Sequence, residues 1–298
     1  METFGPSMRA ALWMCGALVS FIAMAIAGRQ LSAELTTFQI LFLRSFVGLV
    51  VVLVLLQRWG WPQVRTRVFR AHLLRNVAHF GGQYGWFYGI ALIPLTEVFA
   101  IEFTVPIWTA ILATIFLREQ MNRLRVLAVA LGFVGILIIL RPGVAVVSAP
   151  AVAVLGGAMC YAISHVFTKR LSNSETPLTI LFYMTLIQLP LGLVPALPHW
   201  VWPSVALWPW VGIVALTALS AHYCLARAFQ LADATVVMPL DFLRLPLIAM
   251  VGFILYHEPL NVWVFAGAMI VFAATWLSLK SASKSPSDRS RGKAQLVS

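Results

Sequence analysis

Residues 236–246 read VVMPLDFLRLP, and they place Asp241 and Arg244 inside a long apolar run between Pro239 and Pro246. An ionised residue at the centre of a membrane helix costs about 2.5–3.5 kcal/mol on insertion scales. Proline removes a backbone donor and opens the helical hydrogen-bond ladder. Soluble cores seldom combine these features, whereas a helix lining a wet cavity in a membrane does. At i, i+3 spacing the acid and the base can touch. Such a pair can bind a charged group or carry a proton.

The stretch has an echo. A shift of about 139 residues, the kind of period that duplicated carriers show, lays Thr235 on Thr96, Val237 on Val98, Leu240 on Ile101, Asp241 on Glu102 and Phe242 on Phe103. Each half thus places one acid, followed by Phe, in an apolar helix. We read the two as faces of one central pathway; the plainer alternative is a structural ion pair for each. With a rise of about 1.5 Å per residue, Glu102 lies roughly 9 Å below the outer boundary and Arg44 about 12 Å below it, so the two can pair. The same count puts Asp241 roughly 9 Å from the cytoplasmic boundary, with Arg244 one turn deeper.

Other side chains join this set. His79 and His222 lie in the cytoplasmic half and titrate near physiological pH, which suits a proton relay; a histidine hydrogen-bonded between helices is the alternative. Tyr84 and Tyr223 coincide under the shift and could stack a flat ring or an organic cation. Arg75 and Arg227 read as anchors near helix ends, and His165 as a side chain reaching toward the interface. Glu119 and Glu258 fall beside turns, where helix-end hydrogen bonding is expected. Trp200, Trp202, Trp208 and Trp210 form an interfacial aromatic belt. Gly81, Gly85 and Gly89 repeat every fourth residue, with Ser220, Cys224 and Ala228 as counterparts, so both faces permit close helix packing. The three cysteines, Cys15, Cys160 and Cys224, have neither CxxC nor zinc-site spacing, and read as packing residues.

The elements that must hold these residues are membrane helices. The chain has 298 residues, 61% hydrophobic and 10% charged, with mean hydropathy +0.89; soluble domains carry about 25% charge. Apolar segments at 10–28, 36–56, 71–92, 96–117, 122–140, 150–168, 177–197, 208–230, 235–256 and 260–279 can each cross a bilayer. The first follows Met8–Arg9 but exceeds a signal-peptide core and has a counterpart in the second half, so it counts as a span. The +11 net charge would suggest nucleic acid in a soluble chain. Here the bases cluster in alternate connectors: Arg58, Arg65, Arg67 and Arg70; Arg118, Arg123 and Arg125; Lys169 and Arg170. Arg9 and the tail bases from Lys280 to Lys293 share that side, against Arg29 and Arg141 opposite. The positive-inside rule then makes both termini cytoplasmic and argues against nucleic-acid binding. Leu31-Ser32 aligns with Leu171-Ser172, Ile40-Leu41-Phe42 with Ile180-Leu181-Phe182, and Asn122 with Asn261. Two halves with an odd number of spans must run through the membrane in opposite senses. The expectation is an all-α polytopic membrane protein: ten transmembrane helices as two inverted five-helix repeats around a central cavity. Residues 8–142 and 148–280 form the repeats, and 281–298 a disordered cytoplasmic tail.

No Walker A, HExxH, GxSxG or Asp-rich metal motif occurs. No cofactor or metal is expected, and any energy source must be a gradient. The segments Ala91-Leu92, Thr104-Val105-Pro106 and Phe116-Leu117-Arg118-Glu119, with Met238-Pro239-Leu240-Asp241, Leu245-Pro246 and His257-Glu258-Pro259, resemble the EamA family of the drug/metabolite transporter superfamily. Arg118 and His257 stand where that family commonly has Gly. The resemblance covers the chain apart from the tail. It implies a ten-helix inner-membrane carrier with alternating access, whose relatives move amino acids, S-adenosylmethionine-like metabolites, vitamins such as riboflavin, or toxic compounds. The expected function is secondary transport of a small organic metabolite, with Arg44, Tyr84, Glu102, Tyr223, Asp241 and Arg244 binding substrate. Multidrug efflux is the alternative. A membrane-embedded enzyme or scaffold is the rival of another class, and no catalytic cluster supports the former.

Overall fold

The computed structural model describes residues 6–117, 123–141, 148–171, 174–231, 241 and 243–282. Over that range the chain is helical. The helices are α1 (Pro6–Leu31), α2 (Thr37–Trp59), α3 (Phe69–Leu92), α4 (Leu95–Glu102), α5 (Val105–Leu117), α6 (Arg123–Leu140), α7 (Ala149–Leu171), α8 (Pro177–Ala196), α9 (Trp208–Leu231), α10 (Arg244–Tyr256) and α11 (Val262–Ala282). Among the described residues, five stretches are long and apolar enough to cross a membrane: Met8–Leu31, Thr37–Trp59, Ala149–Thr168, Pro177–His199 and Val205–Leu225. Thr235, Val237, Pro239, Leu240, Phe242, Glu119, Asn122 and the tail beyond 282 lie outside the described residues.

Helix starts show how the two halves repeat. Thr36 caps α2, its hydroxyl accepting from the Gln39 N–H while the Gln39 side chain accepts from the Thr36 N–H. Thr176 caps α8 in the same way through the Thr179 N–H, and Pro177 takes the first helical position, where no donor is needed. The long-range contacts repeat too. The Ser204 hydroxyl donates to Glu34 at 2.9 Å, and the Thr66 hydroxyl donates to Glu175 at 2.6 Å. The Gln39 amide donates to the Val201 carbonyl at 2.8 Å, and the Thr179 hydroxyl donates to the Gln63 carbonyl at 2.6 Å. Glu34 precedes α2 and Thr66 follows it. The matching contacts therefore sit at opposite ends of that 23-residue helix, which is about 35 Å long.

Helix pairing follows the same rule. The most extensive packing joins α1 to α9 and α3 to α7, and exchanging the halves turns one pair into the other. The pairs α2 with α8 and α6 with α11 map onto themselves. Small residues permit the closest of these approaches. A Cβ on Gly85 would collide with the Ala153 carbonyl, and one on Gly157 would lie 3.0 Å from the Gly82 carbonyl oxygen. The glycine stripe of α3 is thus a seam against α7, while Ser220 and Cys224 face α1 through Ser20 and Gly16.

Candidate functional site

The site begins at a break. α4 stops at Glu102 and α5 starts at Val105. Pro106 accounts for the position, since a helical proline clashes with the carbonyl four residues earlier, here that of Glu102. Freed groups find local partners: the Thr104 hydroxyl donates to the Ile101 carbonyl at 2.7 Å, and Trp108 Nε1 donates to Thr104 Oγ1 at 3.2 Å. Irregular backbone at such depth is tolerated only where protein or a cavity surrounds it. In the second half Leu243 turns the chain into α10, which opens at Arg244 and carries Pro246 in its first turn.

These two interruptions meet, because α4 packs on α10. Arg244 Nη2 donates to Asp241 Oδ2 at 2.7 Å, and Nη1 lies 3.5 Å from Glu102 Oε1. The indole of Trp86 donates to the other Glu102 oxygen at 2.8 Å. Arg244 is 4% exposed, and its guanidinium lies 4.5, 5.4 and 5.2 Å from the ring centres of Phe21, Phe99 and Phe103. Aromatic faces around a desolvated cation add attraction. Two carboxylates share one guanidinium, so the ionised cluster carries a net negative charge. Asp241 Oδ1 has no hydrogen-bond partner among the described residues. The acids are not sealed, since the Glu102 and Asp241 side chains keep 16% and 13% of their surface open.

The geometry revises several expectations. Arg44 does not pair with Glu102; Arg244 does. Nor do the acids sit toward opposite faces. Counting helical rise assumes straight spans, and both spans are interrupted beside the acid, which lets one guanidinium reach both. Arg75 is no surface anchor: it is 5% exposed, with Nε donating to Thr168 at 3.1 Å and Nη1 to Asn76 at 2.7 Å. Tyr84 stacks on Tyr88 and packs against Phe38. Tyr223 is 48% exposed against Trp13, on the outer side of α9. The histidines do come together, with His79 and His222 ring centres 5.4 Å apart and the Gln188 amide 2.9 Å from His79 Nδ1.

Around these residues α3 carries a buried polar stripe. His72, Arg75, Asn76, His79 and Gln83 are all buried, and the stripe continues to Trp86 at Glu102. The steps of three and four residues put them on one helix face, over about 21 Å of rise. His72 lies 3.8 Å from Glu175 at its far end. That spacing is written in the sequence and could have been found there; Trp86 was concealed in an aromatic run. Among the described residues, the void beside Arg44, Thr185, Gln188 and Ala218 is about 10 Å³, room for about one water. The interior is narrow here, not a wide cavity.

Residues 8–141 and 149–280 both match the model of the EamA-like transporter family. The chain belongs to that family. It is a multi-pass membrane transporter of the drug/metabolite transporter superfamily and not an enzyme. It is 26% identical to the S-adenosylmethionine uptake transporter of Rickettsia bellii over 277 residues, covering 93% of this chain and 95% of that protein. It is 29% identical to the riboflavin transporter of Vibrio cholerae over 285 residues, covering 92% and 95%. The pseudopaline exporter of Pseudomonas aeruginosa is 26% identical over 266 residues, 86% and 90% of the two chains. A solved crystal structure superposes with TM-score 0.63 at 16% identity over 93% of this chain and 99% of that one.

In this EamA-family chain a polar cluster joins three elements at the end of the molecule holding Arg29. Arg29 Nη1 donates to Glu258 Oε1 at 3.0 Å and Nη2 to the Ile93 carbonyl at 2.6 Å. The other Glu258 oxygen accepts from the Leu95 N–H at 2.8 Å, which satisfies the first turn of α4. Glu258 thus has the helix-end role expected of it, and it joins α1, the α3–α4 turn and the α10–α11 turn. Of the four tryptophans Trp202 is 76% exposed and Trp208 47%, while Trp210 packs against the core.

Proposed function

We propose that this protein is an inner-membrane secondary transporter of a small organic metabolite, working by alternating access. Ten spans in two inverted repeats would run around one pathway, with both termini cytoplasmic. One observation carries the reading: the two helix interruptions meet at Glu102, Arg244 and Asp241, deep in an apolar chain, with net negative charge and an unpartnered carboxylate oxygen. Intramembrane acids of this kind mark substrate or ion paths, and interrupted helices are where transporters bind them. Glu102 and Asp241 bind a cationic group of the substrate or a coupling proton, and Arg244 is the counter-charge they share between loads. His79 and His222 pass protons toward the α3 N-terminus. Tyr84 lies beside the path; Tyr223 faces outward and has no part in it. The helices re-aim at Pro106 and Pro246. Similarity to proteins named for S-adenosylmethionine, riboflavin and pseudopaline supports a metabolite with charged or heteroaromatic groups.

The test is uptake and release of labelled S-adenosylmethionine and riboflavin by the purified protein in liposomes, with and without a proton gradient. Glu102→Gln and Asp241→Asn should each lower transport at least tenfold. Full activity in both removes the site. A Cys placed at 241 that no aqueous reagent reaches favours a scaffold instead.

A further inference from the structure

Arg44 and Arg75 are buried to 4% and 5% exposure, yet neither has a carboxylate partner among the described residues. The described acids are engaged or lie elsewhere. Glu102 and Asp241 share Arg244, Glu175 holds Thr66 and His72, Glu258 holds Arg29, Glu34 holds Ser204, and Glu97 lies near Arg141. Among the described residues, Arg75 has the neutral oxygens of Thr168 and Asn76, and Arg44 Nε has no hydrogen-bond partner. Geometry links the two: Arg44 lines one void with Gln188, the Gln188 amide lies 2.9 Å from His79 Nδ1, and His79 stands one turn along α3 from Arg75. No protein of a stable fold gains by burying two like charges with nothing between them, because desolvation and repulsion both oppose it.

Two neighbours of the pair offer spare donors. The Asn76 oxygen accepts from Arg75, which leaves its buried Nδ2 without a partner among the described residues; the Ser164 hydroxyl on α7 is likewise buried without an acceptor among them, while Gln188 Oε1 is a buried acceptor without a donor. Ser164 lies one turn from the Thr168 that holds Arg75. Arg44 lines the small void with Gln188 and Thr185. The Tyr161 ring centre lies 5.5 Å from that of His79, and Tyr161 is within electrostatic reach of Arg44, Glu102 and Arg244, so this region adjoins the acidic centre.

We propose that Arg44 and Arg75, with Asn76 and Ser164, form a binding site for an oxyanion of the cargo, a carboxylate or a phosphate, on the α3 N-terminal side of the acidic centre. Guanidinium forks match both oxyanions, which would supply the missing counter-charge. The inference rests on the transporter reading and narrows it. From Trp86, which holds Glu102, to His79 and Arg75 the rise of α3 is about 10–16 Å. Cargo that bridges the two centres carries a cationic group at one end and an oxyanion at the other.

The experiment is thermal unfolding of the full-length protein in detergent micelles, titrated with sodium phosphate, sodium acetate or sodium chloride at constant ionic strength. A specific ligand raises the melting temperature in a saturable way, following RT ln(1 + [L]/Kd). The expected result is a saturable rise with phosphate or acetate beyond that with chloride, lost in Arg44→Gln and in Arg75→Gln. Arg44→Lys and Arg75→Lys should restore at least part of it. Acetate acting as well as phosphate assigns a carboxylate; phosphate acting alone assigns a phosphoryl group. Should a Gln variant fail to fold, the Lys variant of that position is read instead, with apparent Kd at least tenfold weaker expected. Equal response of variants and wild type, or no response of the wild type to either anion, overturns the site. Saturable anion binding with no transport in liposomes sinks the transporter reading and leaves the site standing. Transport without anion binding does the reverse.

Discussion

Arg244 and Arg44 are each 4% exposed, and the protein treats them in opposite ways. Arg244 is surrounded by two carboxylates and three aromatic rings. Arg44, on the buried face of α2, has none of these among the described residues. A charge whose compensation is built into the chain is permanent structure as well as site. On our proposal, a charge left without it is compensated by cargo that arrives and leaves. The two arginines therefore contribute differently to stability even where both serve transport.

Mutations can break that contrast. Arg244→Leu should have the largest effect. It leaves Glu102 and Asp241 as two buried carboxylates without a cation, which costs about 3–5 kcal/mol, read as a large fall in melting temperature in micelles. Trp86→Phe removes only the indole donor to Glu102. A hydrogen bond to a charged group contributes about 1.5–3 kcal/mol, so the loss should be smaller and should disappear in the Glu102→Gln background. Glu258→Gln keeps the shape of the latch at Arg29 and Leu95 but weakens its acceptor, for about 1 kcal/mol. Arg44→Leu should be the smallest, within about 1 kcal/mol of wild type or slightly stabilising, because no partner is stranded. Transport should nonetheless fail in Arg44→Leu as it does in Arg244→Leu. A destabilisation of Arg44→Leu equal to that of Arg244→Leu would erase the distinction.

Much of this arrangement could be read from residue order alone. An offset of 139 lays Asp241 on Glu102, and one residue more lays Thr176 on Thr36, where both threonines cap helices. The acids, Arg244 and the proline beside each break were all visible as polar or rigid residues in apolar runs. What could not be read was azimuth. Helical rise gives depth but says nothing of which way a side chain points, so Arg44 was matched to Glu102 on depth alone. Pro106 marked the interruption after Glu102, but not that the break lets Arg244 reach both acids. Arg75 was misread because position near a helix end outweighed the periodicity linking it to His72, His79 and Gln83. Tyr223 shows the converse, since correspondence between halves ensures an equivalent helix position but not an equivalent environment.

The seam between α3 and α7 has a consequence for motion. Backbone meets backbone at Gly85 and Ala153, and α1 is joined to α9 with comparable intimacy. Each of these tight couples takes one helix from either side of the duplication. On the proposed alternating-access mechanism, the parts that slide past one another are therefore not the amino- and carboxy-terminal portions of the chain. They are mixed blocks, and a polypeptide severed near residue 145 should still assemble, held by couples that neither fragment contains alone.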